Sequence, residues 1–72
     1  MLAHIAVMTL REFLTEYQIS PGQFAKEIGA AHRITVHRWQ DGSRIPSRDY
    51  MRRIVEVTGG KVLPADFYED FL

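Results

Sequence analysis

The chain has 72 residues, 46% hydrophobic and 25% charged, with no cysteine and a formal net charge of zero. A chain this short supports one small domain that buries only about 60% of the surface its unfolded form exposes. The ordinary composition excludes a disordered or fibrous chain, and the missing thiols exclude a disulfide framework and every thiolate metal site. No stretch approaches the ~20 apolar residues of a membrane span, and the opening MLAHIAV lacks the basic start and the length of a signal peptide, so a cytoplasmic protein is expected.

In chain order, residues 1–7 fit no helical pattern: LAHIAV reads as a short strand or a loose arm, and a flexible arm over residues 1–8 is expected, as for undocked termini, with Met8 as an alternative start of the domain. The domain is expected over residues 9–72. Thr9 followed by Glu12 is a capping box, and Leu10, Phe13, Leu14 and Tyr17 then recur at i, i+3, i+4 and i+7, which predicts a first helix with those four residues inward. Ser20, Pro21 and Gln23 repeat the start signal, so SPGQFAKEIG is a second, short helix with Phe24, Ala25 and Ile28 inward, ended by Gly29 with positive φ. ITVHRWQDG predicts a third helix that stops at Asp41-Gly42. Its wheel gathers Thr35, Val36 and Trp39 on one side and Arg33, Ile34, His37, Arg38 and Asp41 on the other. Ser47 caps a fourth helix with the stripe Met51, Ile54, Val55 and Thr58, edged by Tyr50 and Val57 and closed by Gly59-Gly60. Pro64 opens a short fifth segment, PADFYEDFL, with Asp66 near its N-terminus and Phe67 and Phe71 one turn apart. The expected class is all-α, with four to five short helices.

The zero net charge argues weakly against nucleic-acid binding, yet the charges are segregated. Between Ala30 and Arg53 lie Arg33, Arg38, Arg44, Arg48, Arg52 and Arg53 against only Asp41 and Asp49, while the flanks are acidic. One basic surface on a neutral protein suits a polyanion, although solvated arginines with no partner are the commoner case. Arg52 and Arg53 are read as surface cations paired with Glu56 or Asp49.

Phe24, Ala25, Ile28 and Gly29, then Val36 and Trp39, then DGSRIPS form a pattern that resembles the helix-turn-helix of the phage Cro and repressor family, also called the xenobiotic-response-element type. The likeness runs from Thr9 to Tyr68 and takes in RIVEVTGGKVLPADF. It implies a lambda-repressor-like domain and a Cro-like transcriptional regulator that reads double-stranded DNA through the major groove with the helix around residues 33–41. One feature departs from the family: Gly29 and Val36 are seven residues apart where six is usual, so the turn carries an extra residue within AAHRI.

The resemblance, anchored on Val36, implies that Arg33, Ile34, His37 and Arg38 face base edges, with Arg38 turned further toward the backbone. Arg33 is the choice for direct readout, since a guanidinium bonds both O6 and N7 of guanine. Ile34 has two readings, contact with a thymine methyl or partial burial in the core. Gln23, His32, Ser43, Arg44 and Arg48 are candidates for phosphate contacts, with the amides at the N-termini of the second and fourth helices adding to them. Phe67, Tyr68, Phe71 and Leu72 are the candidate surface of a weak homodimer, because family members bind two half-sites ~34 Å apart; Phe67 and Phe71 have the alternative of closing the monomer's core.

Rival readings are a helical protein-interaction module with incidental arginines, and an antitoxin-like DNA-binding partner in a two-protein system. His32 and His37 are five apart and off the i, i+4 spacing of helical metal ligands, and His4 stands alone, so no metal is expected. With no nucleophilic cysteine, phosphate loop or motif-placed carboxylate pair, the sequence implies no enzyme, no cofactor and no small-molecule substrate.

Overall fold

In the computed structural model of the protein, residues 8–67 are described. They form four α-helices, α1 (Leu10–Glu16), α2 (Pro21–Ile28), α3 (Arg33–Asp41) and α4 (Arg48–Val57), followed by a 3-10 turn at Pro64–Phe67 and with no strand among them. Local chemistry fixes most of these boundaries. Thr9 Oγ1 accepts the Glu12 N–H at 3.1 Å while Glu12 Oε1 accepts the Thr9 N–H at 3.0 Å, a complete capping box at α1. Ser20 and Ser47 accept the N–H groups of Gln23 and Tyr50 at 3.1 and 3.4 Å and so start α2 and α4. At the 3-10 turn the Asp66 carboxylate accepts the Leu63 N–H at 2.8 Å.

The helices fold around one apolar core in which Leu10, Phe13, Leu14, Phe24, Ala25, Ile28, Val36, Trp39, Ile54 and Val62 are buried together. Each large side chain moved from water to such a site contributes about 1.5–3 kcal/mol, which is what a chain without disulfides has to draw on. Phe13 meets Phe24 edge-on at 6.4 Å, which joins α1 to α2. The α2–α3 pair shares the most extensive packing of the fold.

Several expectations need correction. Tyr17 is 47% exposed instead of inward: α1 ends at Glu16, and the chain reverses through Gln18, whose φ is +56°, so Tyr17 lies past the helix and only leans on Phe13 at 4.7 Å. Val55 is half-buried, leaving Met51, Ile54 and Thr58 as the buried stripe of α4. Met8, the alternative start of the domain, is docked: its N–H donates to the Lys61 carbonyl at 3.1 Å and its side chain packs on the core. Residues 1–7, with the rest of that expected arm and His4, lie outside the described residues. Val62, which carries no helical spacing signal, is fully buried beneath the turn after α4. No described helix is long and apolar enough to cross a membrane.

Candidate nucleic-acid interface

The arrangement of α2, turn and α3 depends on Gly29. Its φ of +80° is the left-handed conformation that side chains disfavour, and from it the Gly29 and Ala30 N–H groups turn back to the final carbonyls of α2, Ala30 to Ala25 at 2.8 Å. Ala30, Ala31 and His32 then form the turn, and α3 begins at Arg33 with His32 as its N-cap. The helix thus starts one residue before the predicted ITVHRWQDG segment. The first turn of α2 comes close to the start of α3, since a Cβ on Gly22 would lie 3.8 Å from Cβ of Arg33.

Two inward residues orient α3. Val36 is fully buried and Trp39 is 5% exposed, with the indole against the Tyr50 ring at 5.2 Å; Thr35 beside them is half-buried. Consequently Arg33, Ile34, His37 and Arg38 all lie exposed on the opposite face. Ile34 is 49% exposed and stands outside the buried core.

Beyond α3 the chain turns tightly. Gly42 has φ +83°, the Ser43 N–H bonds the Asp41 carboxylate at 2.9 Å, and the Arg44 N–H bonds the Arg38 carbonyl at 3.2 Å. These bonds hold Arg44 in the loop next to α3, and Arg38, Arg44, Ile45, Ser47 and Tyr50 line an open groove there. The Asp41 carboxyl titrates below the usual aspartate range, mainly because the Ser43 backbone N–H and then its hydroxyl bond the ionised form, with help from the Arg11 and Arg38 charges.

Among the phosphate candidates, Gln23, His32, Ser43, Arg44 and Arg48 are all exposed. The serine caps occupy one amide each at the starts of α2 and α4, so those helices offer fewer free N–H groups than their sequences suggest. At α3 no side chain caps the helix. Phe67 is half-buried against the core, the monomer role that competed with a dimer role for it, while Tyr68, Phe71 and Leu72 lie outside the described residues.

Comparison of the chain with models of known families, with curated proteins and with solved structures finds no match. The resemblance to the Cro and repressor family therefore remains one of residue pattern. Among the described residues, no three His, Cys, Asp or Glu side chains come together as metal ligands would.

Arg53 is the residue that sequence reasoning misplaced. Its guanidinium does not turn to Asp49 or Glu56; Nη1 donates to the Ile28 carbonyl at the end of α2, 2.9 Å away. A partner 25 residues distant leaves no spacing signal. The nearest hint in the sequence is Tyr50, one turn earlier on α4, which the guanidinium overlies at 5.9 Å.

Proposed function

We propose that the protein binds double-stranded DNA sequence-specifically and acts as a Cro-like transcriptional regulator, inserting the exposed face of α3 into the major groove. The observation that carries this reading is the two-sidedness of α3: Val36 and Trp39 are sealed in the core while Arg33, Ile34, His37 and Arg38 face solvent. A helix held this way presents side chains to a groove about 12 Å wide without moving. Arg33, in the first turn of the helix, reads a guanine; Ile34 beside it offers only van der Waals contact, which suits a thymine methyl. His37 and Arg38 extend the same face. Arg44 and Arg48, exposed in and after the loop, neutralise flanking phosphates, and Gln23, His32 and Ser43 position the backbone.

A homodimer on a two-fold operator is part of the same reading, because one module of this size makes few contacts. Its candidate surface is Phe67, half-buried against the core, with Tyr68, Phe71 and Leu72.

Selection of bound sites from a pool of random duplexes tests the proposal. A short palindromic motif is expected, and Arg33→Ala should lose preference at one guanine per half-site. Absence of any enriched motif, together with binding indifferent to added salt, would support the protein-interaction module instead.

A further inference from the structure

Arg53 links α4 to α2 and lies over the tyrosine that packs on α3. From α4 its Nη1 reaches the carbonyl of Ile28, the last residue of α2, at 2.9 Å. That carbonyl belongs to the final turn, whose oxygens have no partner within the helix and carry the negative end of its dipole, so a cation suits it in bond and in charge. The guanidinium carbon also lies 5.9 Å from the centroid of the Tyr50 ring, and that ring lies 5.2 Å from Trp39 of α3 at an interplanar angle of 57°. One side chain thus holds the end of α2 and lies over the ring that packs against Trp39 of α3. Gly29 completes the arrangement, since a Cβ there would come within 2.9 Å of Nη1. The residue that opens the turn also makes room for the guanidinium.

We infer that Arg53 is a positioning residue for α3: by holding the Ile28 carbonyl and backing Tyr50 against Trp39, it sets the angle between α2 and α3, and hence where Arg33, Ile34, His37 and Arg38 lie, without itself touching the ligand. Its consequence for binding rests on the DNA reading; its geometry does not. Only the contact with the ring calls for a planar guanidinium. Lysine supplies a point charge that can bond the carbonyl but cannot lie flat against a ring.

The test compares Arg53→Gln and Arg53→Lys with Arg52→Gln, the same charge change as the first at an exposed neighbour. NMR follows the Trp39 indole N–H and the backbone amides of residues 29–33. Affinity is measured for a labelled duplex enriched from the random pool and for a scrambled duplex of the same composition, across a salt series. Both Arg53 variants are expected to shift the indole and turn resonances and to weaken the enriched duplex by roughly tenfold, the size of one displaced base contact. Scrambled-duplex affinity and the salt slope should stay as in the unaltered protein, and Arg52→Gln should move none of the resonances. Unmoved resonances in the Arg53 variants overturn the inference. So does an Arg53→Gln protein that weakens on both duplexes alike with a salt slope shallower by about one, the mark of a phosphate contact. Should Arg53→Gln unfold, Arg53→Lys, which keeps the charge, is judged by the resonances and the enriched-to-scrambled ratio. If the unaltered protein binds neither duplex, the DNA reading fails and the resonances alone decide the role of Arg53.

Discussion

Thr58 Oγ1 accepts the backbone N–H of Val62 at 3.2 Å while donating to the Ile54 carbonyl at 2.7 Å. The hydroxyl is buried, and it fastens the chain after α4 to the helix so that Val62 enters the core.

Thr58→Val keeps the shape but leaves the Val62 N–H buried without an acceptor. A loss of about 1–3 kcal/mol is expected in urea denaturation, and Thr58→Ser, which retains both bonds, should lose less. Equal losses for the two variants would assign the effect to packing.

Gly29→Ala places a side chain at φ +80° and 2.9 Å from the Arg53 guanidinium. The backbone strain alone costs about 1–2 kcal/mol. The steric part should diminish when Arg53 is also replaced by alanine, so a double-mutant cycle of the two sites is expected to be non-additive. Strict additivity would show that the two groups do not meet.

Gln18 holds φ +56° in the turn between α1 and α2, a region where its Cβ is unfavourable. Gln18→Gly relieves that strain and is expected to raise stability by up to about 1 kcal/mol, set against the extra freedom glycine gives the unfolded chain. Thermal unfolding of the pair of proteins reads the sign directly.

Asp41 titrates below the usual aspartate range because the Ser43 N–H bonds its ionised form. A depressed carboxyl stabilises the fold fully above the unfolded-chain value, and that contribution is lost as pH falls through the lower, folded value. The effect is small for so exposed a group. Carboxyl NMR titration should place the Asp41 midpoint below that of a free aspartate, and Ser43→Ala, which removes only the hydroxyl, should move it up in part.

Arg44→Gln is expected to weaken binding to enriched and scrambled duplexes alike and to reduce the salt slope by about one, because a phosphate contact carries no base information. Arg33→Ala should instead lower the preference for the enriched duplex, by about 1–3 kcal/mol. Exchange of these two behaviours would reverse the roles given to α3 and the loop.

What the sequence determined by itself is what depends on neighbours a few residues apart. The capping box of Thr9 and Glu12, the serine caps of α2 and α4, the left-handed Gly29 and the inward pair Val36 and Trp39 all rest on interactions within one or two turns, so spacing and residue type express them. Exposure of Arg33, Ile34, His37 and Arg38 followed from that pair, because a helix buried along one face presents the other. Tertiary structure decided what depends on contacts between distant segments: Tyr17 turned outward by the reversal at Gln18, Met8 docked on Lys61, Val62 drawn into the core by Thr58, and Arg53 sent across to Ile28. A charged side chain reads in sequence as solvated or paired with its nearest opposite charge. Only the packing of α4 against α2 brings a vacant carbonyl within its reach, and a bond to that carbonyl keeps the charge satisfied where the helix dipole favours it.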